Sequence, residues 1–209
     1  MVIATGNAHK VGELREVLPG VPLVGLDAFP AMEAPDEDAP DYEGNALIKA
    51  RAALAHTGEP SLADDSGLEV EGLGWAPGIR SARYAPGTDA DRRRALLSAL
   101  VAAGPAASRR ARFVCAIAIS GLPDDPSLAG LTRRGTCVLV RGGCEGRIVV
   151  AERGAGGFGY DPLFEIPSLG RTFAELNAEE KHALSHRGRA AALIAPALAR
   201  FFGLRSGGA

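Results

Sequence analysis

The sequence predicts an α/β fold built on a mixed sheet. Strand-like and helix-like stretches alternate through the first half of the chain, and a run of β-type stretches follows in the second half. At 209 residues the chain is long enough for one large domain, or two closely fused lobes, with a substantial core.

The elements follow in order. Val2-Ile3-Ala4-Thr5 is a short β-type run. A Gly6-Asn7 turn leads into a helix with Val11, Leu14, Val17 and Leu18 apolar. Pro22 to Leu26 reads as a second strand. Residues 27 to 43 carry Asp27, Glu33, Asp36, Glu37, Asp38, Asp41 and Glu43, are broken by prolines and show no helical period, so they read as a loop. Tyr42 to Thr57 is a helix with a stripe of Ala46, Leu47, Ala50, Ala53 and Leu54. The apolar run Pro60-Ser61-Leu62-Ala63 then meets Asp64 and Asp65 at a strand end, Ser66-Gly67 reads as a turn, and Leu68 to Leu73 resumes a strand.

Gly74 to Gly87 is a turn-rich connection, and Asp89 to Ala103 a helix with Leu96, Leu97 and Leu100 inside. Three strands are expected at Arg112–Ser120, Gly135–Arg141 and Arg147–Glu152, antiparallel with short links, and a loop at Gly121–Arg134. The last helix runs from Ser185 to about Phe202, and Pro196 should kink or split it. One domain over residues 1–205 and a disordered tail at 206–209 complete the reading.

Composition excludes several classes. The formal net charge of −2 lacks the basic excess of a nucleic-acid binder. Three cysteines, Cys115, Cys137 and Cys144, without metal-type spacing, suit unpaired thiols in a reducing cytoplasm. No apolar run approaches membrane-spanning length, and the N-terminus lacks a signal-peptide pattern.

Four segments carry chemistry. Asp64-Asp65 can hold a hard cation such as Mg²⁺, or form a solvated turn. At Gly6-Asn7-Ala8-His9-Lys10, a helix start offers backbone N–H groups and a lysine to an anion, and an ordinary strand-to-helix turn reads the same way. Gly156-Gly157-Phe158-Gly159-Tyr160-Asp161-Pro162 suits the stacking of a flat base; alternatively, its aromatics are core. With Gly154 it matches G-x-G-x-x-G, but Pro162 and Pro167 forbid the helix that a dinucleotide fingerprint needs. In Ser185-His186-Arg187, Ser185 looks like an N-cap, and His186 and Arg187 place positive charge where the helix dipole disfavours it. Lys181 stands just upstream. Lys49, at the margin of its helix stripe one turn from Asn45, can reach inward or snorkel to solvent.

Together the segments Thr5–Lys10, Ala63–Leu68, Ala76–Tyr84, Gly157–Pro162 and Ser185–Arg187 closely resemble the inosine triphosphate pyrophosphatases, also called dITP/XTP pyrophosphatases. They occur in that family's order and span the chain to about residue 202. The resemblance implies a long twisted mixed sheet flanked by helices in two lobes, a nucleotide cleft between them, and a homodimer. It implies hydrolysis of ITP, dITP, XTP or dXTP to the monophosphate and pyrophosphate, with Mg²⁺. Glu37 and Asp65 would hold the metal, and Asp65 would also take the proton of the attacking water. Asp64 is a candidate to brace the ion without touching it. Thr5, Gly6, Asn7, Ala8, His9, Lys10 and Lys49 would bind phosphates, and Ser66 would contact substrate. Phe158 would stack on the base within the Gly159-Tyr160 loop, and Asp161, Lys181, His186 and Arg187 would read its edge. One departure stands out: Asp41-Tyr42-Glu43-Gly44-Asn45-Ala46 carries its acid one place from the family's Thr-Phe-x-Glu-Asn-Ala, so Glu43 receives no role. Two rival readings are a nucleotide-binding module without turnover, against which the paired carboxylates argue, and a pyrophosphatase for modified pyrimidine nucleotides, against which Ser185-His186-Arg187 argues.

Overall fold

A computed structural model describes residues 1–204; the expected tail at 206–209 lies outside them. Among the described residues are eight strands in one sheet, in the order β2-β1-β3-β4-β6-β7-β8, with β5 on β6. The strands are β1 (Val2–Ile3), β2 (Val24–Gly25), β3 (Ser61–Val70), β4 (Arg110–Ser120), β5 (Thr132–Arg134), β6 (Cys137–Ile148), β7 (Phe164–Ile166) and β8 (Arg171–Thr172). The helices are α1 (Ala8–Val17), α2 (Tyr42–Thr57), α3 (Asp89–Ala102), α4 (Ala178–Leu184) and α5 (His186–Phe201). β1 pairs in parallel with β2 and β3, whereas β5, β7 and β8 join by antiparallel pairing, so the sheet is mixed as expected.

The chain divides into two compact units. Unit 1 comprises Met1–Asp65, Cys115–Gly142 and the chain from Arg187; unit 2 comprises Ser66–Val114 and Gly143–His186. Unit 1 buries Ile3, Leu62, Ile117 and Val138 from strands against Leu14 and Leu18 at α1 and Ile194 and Leu198 of α5. Each such side chain contributes about 1.5–3 kcal/mol when fully buried. Unit 2 has its own core of Leu68, Val70, Leu96, Leu100, Ile148 and Tyr160 around an aromatic group. There the Phe113 and Phe164 ring centroids lie 4.6 Å apart, and those of Phe164 and Phe173 5.0 Å.

Several expectations need correction. No turn occurs at Ser66-Gly67: β3 runs unbroken from Ser61 to Val70, with Asp64 and Asp65 in mid-strand. The two aspartates do not need solvent, because buried cations neutralise them there. The two strands expected at 135–141 and 147–152 are one strand, β6, and its glycines do not mark a turn. From Arg141 to Ile148 it alternates exposed and buried residues, the period of a half-buried strand. Gly146 is there for close approach: a Cβ would lie 2.5 Å from the Phe164 ring and 2.6 Å from the Glu165 carbonyl. Part of the expected loop 121–134 is β5. α5 continues through Pro196 rather than splitting. An internal proline costs about 3 kcal/mol, which burial of Ile194 and Leu198 offsets. β7, β8 and α4 have no counterpart in the sequence reading.

Candidate active site

In unit 1 the expected residues gather around β3. Asn7 caps α1, but its side chain accepts from the backbone N–H of His9 at 3.0 Å and of Lys10 at 3.3 Å, and its own N–H donates to Thr5 Oγ1 at 3.2 Å. Two N–H groups expected to face an anion are therefore already satisfied. Gly6, Asn7, Ala8 and His9 remain exposed at this turn, and Ser66, half-buried, follows Asp65 on β3.

Lys10 turns inward, its ammonium 3.1 Å from Asp64 Oδ2. Asp64 is completely buried and also accepts from Arg187 Nη2 at 2.7 Å, while Arg187 Nη1 donates to Glu13. Burial works against the Asp64 carboxylate, but Lys10, Arg187 and Lys49 hold it well below the usual carboxylate range. Arg187 stays charged for the converse reason: burial opposes it, and the Asp64 and Glu13 carboxylates outweigh that opposition. The neighbouring Cys115 thiol is pushed up to about 12, first by burial and then by Asp64, so it is inert.

Asp65 forms a second centre. Its Oδ1 lies 2.8 Å from Lys49 Nζ, and the same ammonium lies 3.0 Å from Glu37 Oε2. Two carboxylates from different segments thus converge on one cation. Asn45, on the same face of α2 one turn before Lys49, ties the arrangement down: its amide donates to Asp65 Oδ2 at 3.4 Å and its oxygen accepts from Ala39 N at 3.1 Å. That second bond anchors the acidic loop carrying Glu37. Burial lifts Asp65 above the ordinary carboxylate range, against the pull of Lys49 and Lys10. Burial lowers Lys49, but Asp65, Asp64 and Glu37 win and raise it. Among the described residues no three His, Cys, Asp or Glu side chains form a metal cage. A carboxylate pair already sharing one cation fits Mg²⁺, which takes one or two protein carboxylates and completes its shell with water and substrate phosphates. Glu43, outside this group, pairs with Arg141 at 2.9 Å.

Unit 2 holds the aromatic loop. Gly157 (φ +70°) and Gly159 (φ +60°) take left-handed conformations, and a Cβ on Gly157 would lie 2.1 Å from Asp161 Oδ2. That oxygen accepts from Phe158 N at 2.8 Å and from Lys181 Nζ at 2.7 Å. Lys181, on α4, lies 5.1 Å from the centroid of the half-buried Phe158 ring, a cation–π distance. His186 stacks on Phe113 at 4.7 Å with 10° between the planes. Ser185 ends α4, its N–H bonded to Lys181 O at 2.7 Å, and α5 starts at the next residue.

Phe158, Gly159, Asp161, Lys181 and His186 therefore all belong to unit 2. Tyr160 differs from expectation. It is a core residue whose buried hydroxyl donates to the Ser81 carbonyl at 3.0 Å. Arg187 lies in unit 1, where its Nη1 donates to Glu13 and its Nη2 to Asp64, so in this structure it serves the Asp64 cluster. Sequence reasoning missed Asn45, whose one signal was a polar residue on an apolar helix stripe, and Asp89 and Arg93, which bond Gly159 from far away in the chain.

Comparison with known proteins agrees in extent and kind. Residues 1–197 match the model of the Ham1 family. A dITP/XTP pyrophosphatase of Symbiobacterium thermophilum is 50% identical over 196 residues, covering 92% of this chain and 91% of that protein. One from Thioalkalivibrio sulfidiphilus is 46% identical, covering 93% and 95%. The solved structure of a HAM1 protein from Coxiella burnetii matches with a TM-score of 0.81 and 39% identity, over 95% of this chain and 98% of that one.

Proposed function

The chain belongs to the Ham1 family, and from that premise we propose that it hydrolyses non-standard purine nucleoside triphosphates, dITP/ITP and XTP/dXTP, to the monophosphate and pyrophosphate. The observation that carries this is the convergence of Asp65 and Glu37 on one ammonium, in the unit that also holds Lys10. A nucleoside triphosphate has a polyanionic end and a flat, polar-edged end. Unit 1 offers carboxylates and lysines suited to the first, and unit 2 offers Phe158, Asp161, Lys181 and His186 suited to the second.

Cleavage of a phosphoric anhydride is mainly a matter of positioning and of neutralising charge. Asp65 is the base that takes the proton of the attacking water, held in place by Lys49 and Asn45. Lys49, already 2.8 Å from that carboxylate, turns to the phosphates together with Lys10. The lysines Lys10 and Lys49 and Arg187 face four carboxylates, Glu13, Glu37, Asp64 and Asp65, so the cluster has no positive surplus for a polyanion. Mg²⁺ held by Glu37 and Asp65 would supply that charge and acidify bound water.

Base choice follows from donors. A 6-oxo purine presents an acceptor to Lys181 and His186, whereas adenine presents an amino donor. A lysine has donors only, so adenine sets a donor against a donor, and such mismatches reach about 10⁴-fold discrimination in polar sites. The homodimer and the cytoplasmic setting belong to the same proposal. The family resemblance supports the first, and three buried cysteines outside any disulfide favour the second. Among the described residues no helix is long and apolar enough to cross a membrane.

The test is a panel of ITP, dITP, XTP, GTP, ATP and modified pyrimidine triphosphates, with Mg²⁺ or with excess chelator, scored for pyrophosphate and orthophosphate. Pyrophosphate from ITP, dITP and XTP, lost in chelator, is expected. Stepwise orthophosphate release or a preference for ATP refutes the proposal.

A further inference from the structure

The loop that carries Phe158 contains Gly154, Gly156, Gly157 and Gly159, residues that lose the most conformational freedom on ordering. Its internal closure is the Asp161 carboxylate, which gathers Phe158 N and Lys181 Nζ. A second anchor comes from elsewhere in unit 2. Both polar groups of Gly159 are bound by the start of α3: its N–H donates to Asp89 Oδ2 at 2.8 Å, and its carbonyl accepts from Arg93 Nη1 at 2.9 Å. These partners lie 70 and 66 residues earlier in the chain.

Both clamping side chains are themselves braced. Arg92 Nη2 donates to the other Asp89 oxygen at 2.5 Å, and Arg93 Nε lies 2.9 Å from Glu152. α3 is well founded at this end, with a Thr88–Asp91 capping box, and a carboxylate at a helix N-terminus sits on the favourable end of the dipole. Hydrogen bonds to charged groups are stronger than neutral ones, so the peptide groups on both sides of the Gly159 Cα are held firmly. Gly159 directly follows Phe158 in the chain, and its N–H and carbonyl define how that ring is presented.

We propose that Asp89 and Arg93 are positioning residues for base recognition: by clamping the peptide groups on either side of Gly159 they fix the face of Phe158 and the Asp161–Lys181 pair, and so set affinity for the base end of the nucleotide. The inference rests on the function proposed above. It makes α3 a determinant of purine affinity without contact with the substrate, and leaves the phosphate end, served by unit 1, unaffected.

The test separates the two ends of the ligand. Calorimetric titrations in Mg²⁺ buffer use inosine monophosphate, which has the base, and pyrophosphate, which lacks it. Asp89→Ala and Arg93→Ala should each weaken inosine monophosphate binding by about 10-fold or more, the scale of a lost hydrogen bond to a charged group, and change pyrophosphate binding by less than about twofold. Because both hold the same residue, one through each of its flanking peptide groups, the double variant should be less than additive. Asp89→Asn keeps an oxygen acceptor for the Gly159 N–H and should recover most of the loss. If an alanine variant does not fold, Asp89→Asn and Arg93→Lys carry the comparison. Equal weakening of both ligands would show general loosening and overturn the inference, as would unchanged monophosphate binding in the variants. Native protein that binds no inosine monophosphate overturns the functional reading and the inference with it; native binding that the variants retain overturns the inference alone.

Discussion

Replacing Asp64 by Asn keeps the shape of a fully buried side chain and removes its charge. In the native protein that charge lies 3.1 Å from Lys10 Nζ and 2.7 Å from Arg187 Nη2. Removing one partner of a buried ion pair costs about 3–5 kcal/mol, because the other charge stays buried and uncompensated. Arg187 retains Glu13, and Lys10 can move toward solvent, so the expected cost is about 3 kcal/mol. For a protein of this size each kcal/mol shifts the melting temperature by about 2–4 °C. The Asn variant should therefore melt roughly 6–12 °C lower at pH 7. The pH dependence has a definite sign. The folded-state pKa of Asp64 is depressed, so its contribution is fully present above the unfolded value of about 3.9 and is lost as pH falls toward the folded value. The gap between native and variant should be constant above about pH 5 and narrow below about pH 4. Thermal unfolding followed by circular dichroism between these limits is the assay. A shift below about 2 °C at pH 7, or a gap that widens on acidification, refutes the account of Asp64 as the buried hub of unit 1.

Asp65→Asn should act oppositely, lowering pyrophosphate release by roughly 100-fold or more with a small change in melting temperature, since it removes a base and a metal ligand; exchange of the Asp64 and Asp65 phenotypes would mean the wrong aspartate has been chosen. Activity should rise toward an alkaline optimum, because a carboxylate base has a low reference pKa and the rise would track ionisation of metal-bound water, so a profile falling from about pH 6 upward contradicts that mechanism. Phe158→Ala should raise KM for ITP by about 10-fold or more, the scale of one lost base–aromatic stack, with stability kept; unchanged KM would place the base elsewhere. Tyr160→Phe deletes a buried donor to the Ser81 carbonyl and should cost about 1 kcal/mol in urea unfolding without altering KM. A KM effect without a stability effect would restore Tyr160 as a substrate contact.

Local signals in this chain were read well where physics is local. The Asn7 turn, the boundaries of α2 and α3 and the refusal of a dinucleotide helix after Gly159 all follow from capping, periodicity and proline, and each appears in the structure within a residue or two. Local reasoning failed where a neighbour changes what a residue means. Asp64-Asp65 followed by Ser-Gly reads as a strand end because isolated aspartates want water, yet in β3 they are buried among Lys10, Lys49 and Arg187. The stretch between Arg141 and Arg147 reads as a short link between two strands, yet the strand runs through it and Gly146 is the place where β7 comes too close for a side chain.

The division between the two kinds of information has one physical cause. The sequence by itself determined the α/β class, the early alternation of elements and the side chains with the chemistry to handle a metal, a phosphate or a base. Those follow from backbone sterics and functional groups that each residue carries with it. Only the tertiary structure decided which charges are neutralised by which partners. It turned Asp64 into a buried anchor held by Lys10 and Arg187, and it brought Glu37 and Asp65 onto the ammonium of Lys49. It also tied Gly159 to Asp89 and Arg93 and moved Tyr160 into the core. Coulomb and hydrogen-bond energies depend on distance and on exclusion of water, and both are properties of the folded chain rather than of any stretch of it.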